Sequence, residues 1–493
     1  MVTRWSSVLM VSAAVTAYGC TRLTPEMQVA RDAAEAMGGV DAVRSATTLV
    51  MEGTGTQYRL GQNTTPNADL PIYDVESYKK QVDLRNHRWR VELVRTGKFL
   101  TGNPVNQQRQ IQAMDKDVAF NVGANGNATR QSSQVAKDRH AEFYHHPLVI
   151  LQAALAEPPI ATVSNLREER GHTIVDVSTA DGTQLTVHFD PQTRLPVVAE
   201  SISYDSNLGD VTIATTFSDY AEAGGLRLPG TISQKLDKFP NGDYRVTNTV
   251  NADVGDLAAP AEVVSAAEPA PPAADVTAEE LADGVWLLAG QSHNSVLVEF
   301  PSYAALIEAP QNDTRTLAVI QKARELVAGK PLQFVINTHH HFDHSGGVRA
   351  AVGEGLTIIT HEINRPFFED MVARKHTVVA DHLSKNSKPL SIQTVPGDGP
   401  YELKDGDRAL EIHRIVGDAH NDGMLMVYLP RERILVEADA FASNSAAIPF
   451  AATLVKNIQD RKLRVDRIAA LHGPLTSLAE LEKKVKGMAP QTN

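Results

Sequence analysis

The sequence predicts an α+β protein of two domains: a mostly antiparallel, half-barrel-like β domain with a few helices, then an αββα sandwich. Three observations carry this expectation. An Ala/Pro-rich segment without aromatics, "DLAAPAEVVSAAEPAPPAADVTAEEL" (Asp256 to Leu281), divides the chain. Such composition cannot build a core and reads as a semi-stiff linker. Upstream of it, apolar and polar residues alternate with a period of two, as half-buried strands require. Downstream, short apolar runs alternate with amphipathic helical stretches, which suits helices packed outside sheets. The length of 493 residues fits two or three domains.

The chain opens with Arg4 and an apolar stretch, "VLMVSAAVTAYG" (Val8 to Gly19), too short for a mature transmembrane helix and of signal-peptide length. Cys20, the only cysteine, follows. "AYGC" resembles a bacterial lipobox, in which the cysteine is lipidated and becomes the mature N-terminus. Ala17 stands where Leu is usual, and Tyr18 is bulky. Cleavage after the A-x-A-like Ala17-Tyr18-Gly19 would instead release a soluble protein. Both routes export the chain, to a bacterial periplasm, and the first adds a lipid anchor in the outer membrane. A single cysteine excludes intramolecular disulfides.

Residues 25–255 read mostly as strands. "HRWRVELVR" (His87 to Arg95), "HTIVDVST" (His172 to Thr179) and "QLTVHFD" (Gln184 to Asp190) alternate cleanly, and Asp181-Gly182 turns the chain between the last two. Two helical stretches interrupt them, "PEMQVARDAAEAMGG" and "SQVAKDRHAEFYHHPLVILQAALAE" (Ser133 to Glu157). His145 and His146 lie in the second. Helical neighbours diverge by about 100°, so they read as capping or surface residues rather than a ligand pair. "AMGGVDAVRSATTLVMEGTG", "VHFDPQTRLPVV" and "FSDYAEAGGLRLPGTI" resemble periplasmic domains related to bacterial lipoprotein-carrier proteins. That resemblance implies a half-open β-barrel with a greasy concave face.

After the linker (256–276), residues 277–493 alternate strand and helix. "GVWLLAG" and "NSVLVEF" read as strands, and "DTRTLAVIQKARELVAG" as an amphipathic helix that Asp313 is placed to cap. "LQFVIN" is a near-continuous apolar strand. "GGVRAAVG" and "RPFFEDMVARKH" read as helices; "LTIITH", "ALEIHRIVG", "MLMVYLP" and "RILVEAD" as strands.

The chemistry concentrates in "VINTHHHFDHSGG" (Val335 to Gly347). Along an extended segment His339 and His341 point the same way and His340 points elsewhere. Asp343 and His344 follow where the chain turns through Ser345-Gly346-Gly347. H-x-H-x-D-H thus offers two pairs of ligands for two adjacent metals. Four imidazoles and a carboxylate ending a buried strand with no metal would be costly. His420, Asp439 and His472 each follow an apolar strand, where sheet proteins gather functional groups.

This constellation resembles the metallo-β-lactamase-fold hydrolases, over nearly all of residues 277–493. The resemblance implies one metal on His339, His341 and His420, a second on Asp343, His344 and His472, and Asp439 bridging them, as in the glyoxalase II-like and lactonase-like branches. It implies two Zn2+ per chain, with iron or manganese as alternatives. Flavodiiron relatives carry glutamate where His341 stands, and nucleolytic relatives need a longer interval than His420 to His472. Two cations about 3.5–4 Å apart make a shared water a hydroxide nucleophile. Asp343 would orient it or pass its proton on. An ester, thioester, lactone or amide is the expected small carbonyl substrate.

His293, in "GQSHNSVLVEF", lies in a loop that overhangs such sites; it reads as a candidate substrate contact, or else as a surface residue or one that supports the site from behind. Phe367 to Pro389 is a candidate pocket wall, with His376 and His382 on its surface. Asp422, in "HNDG", reads as a partner for an imidazole or as a cap. Two further readings are a β-lactamase, and an envelope protein that binds lipid or another hydrophobic ligand. Lys+Arg is 47 against Asp+Glu 59, a formal charge of −12, which argues against nucleic acid as a partner.

Overall fold

The computed structural model describes residues 23–100, 106–271, 274–446 and 448–488. The expected signal segment 1–20 and Cys20 lie outside the described residues. Among those described, no helix is long and apolar enough to cross a membrane.

Residues 48–250 form one 13-stranded sheet, antiparallel at every pairing along it. Its first six strands meander from Thr48–Tyr58 to Ala128–Arg130, and its last seven from Ala161–Glu169 to Phe239–Val250. The two halves join at the centre, where Thr48–Tyr58 pairs with Phe239–Val250 in a register that sets Leu49 opposite Val250 and Glu52 opposite Thr247. Sequence and structure agree closely at Arg88–Gly97, His172–Thr179 and Gln184–Phe189. Gly182 turns the last two with φ +94°, a backbone region open chiefly to glycine.

Helices cover one face of this sheet. Ala30, Ala33 and Ala34 of Pro25–Ala36, with Leu148, Ile150 and Leu151 of Pro147–Leu155, pack in one core with Leu49, Trp89, Val187 and Phe189. The greasy face expected of this region is therefore filled by its own helices. The long helical stretch from Ser133 breaks at Tyr144 into Ser133–Phe143 and Pro147–Leu155. Pro147 causes the break: it has no N–H and is pre-set for a first helical position. His146 caps the second helix by accepting from Leu148 N at 3.3 Å. Neither His145 nor His146 is on the surface; His145 is buried between Thr215 Oγ1 (2.8 Å) and Ser201 Oγ (2.9 Å).

The segment expected as a spacer is docked on the sheet instead. Leu257 packs with Val50 and Val254, and Val263 with Ala113 and Phe120. Arg130 donates to the carbonyls of Val264 (3.0 Å) and Ala266 (2.7 Å). A few Val and Leu side chains among the alanines suffice to anchor it. Its end, Thr277–Ala282, is a strand paired with Val285–Ala289.

The C-terminal region holds two further sheets. Seven strands run from Thr277–Ala282 to Ser391–Val395, antiparallel at first and parallel from Ala304–Ile307 onward. Six run from Tyr401–Asp405 to Thr476–Ser477. One core lies between them, with Val285, Val296 and Ile336 against Ile412, Val427 and Val436. Asp313–Leu326, Val348–Gly353 and Arg365–Ala373 cover the outer face of the first sheet. Ala451–Asp460 and Leu478–Gly487 pack on the second through Leu454, Ile458 and Leu481. Sheets covered on both sides explain strands such as Leu425–Leu429 that are buried at every residue. Asn312, not Asp313, caps Asp313–Leu326, accepting from Arg315 N at 3.0 Å; the Asp313 carboxylate accepts from His382 N at 2.6 Å instead.

Candidate metal centre

The strand Leu332–Ile336 lies inside the first C-terminal sheet, paired on both sides, and runs on, extended, into His339-His340-His341, after which Phe342–Ser345 begins a helical turn. The alternation works as expected. The rings of His339 and His341 lie 4.5 Å apart, while His340 turns away to Asn63 Oδ1 (3.2 Å), Asn421 Nδ2 (3.1 Å) and Phe367. The helical turn then aims Asp343 and His344 at the same space. His420, Asp439 and His472 arrive from the second sheet, after the strands Arg408–Arg414, Ile434–Glu437 and Arg467–Ala470.

Two clusters result, each with ligand atoms within 4.8 Å of one another: His339, His341, His420 and Asp439; and His293, Asp343, His344 and His472. Asp439 touches both. Its Oδ2 lies 2.8 Å from His420 Nε2, 3.2 Å from His344 Nε2 and 3.3 Å from His339 Nε2, and its Oδ1 lies 3.0 Å from His472 Nε2. The Nε2 atoms of His344 and His472 face each other at 2.9 Å. His293 Nε2, His339 Nε2 and His341 Nδ1 are buried without a hydrogen-bond partner. Orphaned imidazole nitrogens converging beside carboxylates fit divalent cations, which take imidazole and carboxylate donors. The clusters could hold metal ions.

The atoms facing away from the clusters are held. Glu308, fully buried, accepts from His344 Nδ1 (2.9 Å), Thr338 Oγ1 (2.5 Å) and Asn337 Nδ2 (2.7 Å). Its φ of +83° is rare for a residue with a side chain. Thr338 Oγ1 sits 3.1 Å from His339 Nδ1, and Ser292 Oγ 2.8 Å from His293 Nδ1. The loop carrying His293 is tied down by Asn294, which donates to the carbonyls of Ala470 (3.1 Å) and Gly473 (2.8 Å), and by the buried Arg315, which donates to the His293 carbonyl at 3.1 Å. Glu437 accepts from Ala440 N and Phe441 N, both at 3.0 Å, and so shapes the turn that carries Asp439.

The electrostatics are those of a site that calls for positive charge. Burial lowers the imidazoles of His339, to about 3, and of His293, to about 4. Burial also opposes a charge on His344, but Asp439 and Asp343 outweigh it and hold His344 well above the ordinary histidine value. The same balance, led on the raising side by Asp439, pushes His472 up to about 9. Burial would raise the carboxyls of Asp343 and Asp439, but the surrounding imidazoles, His344 foremost, bring both far below the usual carboxylate range. Protons on His344 and His472 stand where a cation would compete with them.

Beside the clusters is a cavity of about 390 Å³ walled by Phe441, Ile448 and Phe450, with Arg59 and Gln62 on one side. His293, weighed as a substrate contact or a surface or supporting residue, lies 3.4 Å from Asp343 Oδ2 inside the second cluster. The segment after Phe367 does not wall the cavity; Phe367 backs the histidine motif, stacking on Phe342 with centroids 6.2 Å apart. His376 is buried, 3.4 Å from Asp381, and His382 pairs with Glu354 at 2.8 Å, so neither is a free surface residue. Asp422 pairs with Arg414 rather than with an imidazole. Sequence reasoning missed Glu308, Asn421, Gln62 and Asn63. Glu308 alone carried a signal, as a carboxylate closing the apolar run "AALIE".

A profile described as the metallo-beta-lactamase superfamily matches residues 288–450. Among solved structures the chain is similar to a metallo-beta-lactamase from Pontibacter korlensis, at 18% identity and a TM-score of 0.34, over 43% of this chain and 98% of that one. It is also similar to one from Hirschia baltica, at 18% identity and a TM-score of 0.35, over 45% and 100%. No curated protein matches. Residues 288–450, which carry His293 and the whole histidine motif, form a metallo-beta-lactamase superfamily domain.

Proposed function

We propose that the protein is an exported, zinc-dependent hydrolase with two metal ions, acting on a small carbonyl substrate of the ester, thioester, lactone or amide type. The observation that carries this reading is the convergence of six imidazoles and two carboxylates on two adjoining clusters that share Asp439. His339, His341 and His420 would hold one ion and Asp343, His344 and His472 the other, with Asp439 between and His293 beside the second. Two such cations supply Lewis acidity, which polarises a carbonyl and makes water nucleophilic at neutral pH.

The chain's own groups do the rest. Asp343 Oδ2 lies 3.4 Å from His293 Nε2 and 3.6 Å from His472 Nε2, a place from which a carboxylate can orient water and carry a proton to the leaving group. Phe441, Ile448 and Phe450 receive the apolar part of the substrate and keep bulk water off it. Asp439 and the H-x-H-x-D-H motif favour the glyoxalase II-like or lactonase-like branch over a β-lactamase. The apolar segment before Cys20 supports export, with lipidation at Cys20 as an anchor.

Metal analysis of purified protein, with lactone, thioester, ester and cephalosporin panels and Asp343→Ala as control, tests the reading. Near two zinc ions per chain and Asp343-dependent turnover of a non-lactam carbonyl substrate are expected. Less than a single metal ion per chain at neutral pH overturns it; iron or manganese in place of zinc corrects the metal alone.

A further inference from the structure

The loop between Thr48–Tyr58 and Ile72–Asp83 belongs to the N-terminal sheet, yet it reaches the metal centre of the C-terminal region. Gln62 Nε2 donates to Asp343 Oδ1 at 3.0 Å. His341 Nε2 lies 2.9 Å from the Asn63 carbonyl oxygen. Two backbone bonds seat the loop: Phe342 N donates to Gly61 O at 3.3 Å, and Asp422 N to Thr64 O at 2.8 Å. Asn63 Nδ2 braces the turn by donating to Thr65 O at 2.6 Å. Gly61 has φ +72°, and a Cβ there would lie 2.3 Å from the Phe342 ring. Only glycine lets the loop come this close.

These contacts have a chemical consequence. A neutral imidazole carries one N–H, and whichever nitrogen bears it cannot bind a metal. His341 Nδ1 is buried without a partner while Nε2 faces the Asn63 carbonyl, so a metal in its cluster would take Nδ1 and the proton would sit on Nε2. The Asn63 carbonyl is the acceptor that holds it there. Asn421 Nδ2, 3.3 Å from the same nitrogen, could only donate to a lone pair, and the carbonyl contact is the shorter. His293, His339 and His344 have partners for their outward nitrogens within the C-terminal region. His341 takes its partner from the N-terminal region, as does Asp343 through Gln62. One member of each cluster is thus set by the same loop.

We propose that this loop is a working part of the metal centre, with the Asn63 carbonyl as the positioning group for His341 and the Gln62 amide as that for Asp343. Metal retention then depends on the N-terminal sheet staying docked. The proposal rests on the metal-centre reading above, but its test reads metal binding rather than turnover, so either can fail alone.

The experiment uses the full chain with Co2+ as probe, comparing the unaltered protein, Gln62→Ala, Gly61→Ala and the remote control Asn125→Ala. Chelator competition gives affinity, and visible absorption of the cobalt reports ligand geometry. Partners of this kind are worth roughly ten- to a hundredfold in metal affinity. Gln62→Ala should weaken one cobalt by about that factor and alter its spectrum. Gly61→Ala should weaken both ions, and the control neither. A merely structural role would leave the spectrum of bound cobalt unchanged. If Gly61→Ala does not fold, Gln62→Ala alone decides, since it only shortens a side chain. Unchanged affinity and spectrum in Gln62→Ala overturn the proposal. Failure of the unaltered protein to bind cobalt overturns the metal-centre reading instead.

Discussion

Glu308→Gln tests the support of one metal-facing imidazole, His344, more directly than that of any other. Glu308 is fully buried and accepts three hydrogen bonds of 2.5–2.9 Å, from Thr338 Oγ1, Asn337 Nδ2 and His344 Nδ1. Gln preserves shape but replaces one accepting oxygen with an NH2 donor. Either Thr338 and His344 or Asn337 must then face a donor. The His344 Nδ1 proton loses its charged acceptor, and the imidazole is no longer bound to the tautomer that frees Nε2. Hydrogen bonds to a charged group contribute about 1.5–3 kcal/mol, which is roughly ten- to a hundredfold in affinity for an ion held by His344. The ion held by His339, His341 and His420 should change less, since none of these imidazoles bonds Glu308 directly and the effect reaches His339 only through Thr338 Oγ1, 3.1 Å from its Nδ1. Stepwise zinc competition against a chelator separates the two affinities. A unique loss at the tighter or looser step supports the argument. Affinities unchanged from the parent's at both steps, with Glu308→Gln folded, would refute the idea that Glu308 orients His344.

Other expectations follow from the same geometry. His340→Ala should keep both metals while His341→Ala loses one, read by metal content after dialysis; equal losses would place His340 in the cluster. Burial drives His145 down to about 4 and His146 to about 3. These folded values lie below the unfolded value of about 6.5, so the unfolded chain binds more protons as the pH falls through that window. Their stabilising contribution is complete above about pH 6.5 and shrinks towards pH 4, by at most about 2.7 kcal/mol per pH unit for the two together. His145→Gln should flatten the fall of Tm between pH 6.5 and 4 relative to the parent, and an unaltered slope would contradict this. Arg59 lines the cavity with its guanidinium 4.9 Å from the Phe99 ring centroid. Arg59→Ala should lower kcat/KM for a substrate with a carboxylate roughly tenfold more than for its neutral analogue; equal losses would deny Arg59 a role in recognising charge.

What was legible in the sequence is what spacing encodes. Two-residue alternation foretold that His339 and His341 would share a direction and His340 would not, because an extended chain leaves no other choice. Apolar runs ending in His420, Asp439 and His472 foretold where those groups would stand relative to a sheet. What the sequence leaves open has a common cause. The loop of His293 is visible in the sequence but its depth is not; Arg315 and Asn294, which draw that loop inward, act through backbone carbonyls that no side-chain pattern records. The docking of the linker escapes its composition, which counts alanines, whereas Leu257 and Val263 decide where it lies. Gln62 and Asn63 were invisible for a stronger reason. They stand in a polar loop of another sheet, 281 residues from Asp343 and 278 from His341, and one of their two contacts is a carbonyl that any residue would possess. Only Gly61 marks the place, since the approach to Phe342 excludes any side chain there. A metal centre's ligands can be found by residue type, but the groups that aim them are defined by position in the fold, and a backbone carbonyl has no letter in the sequence.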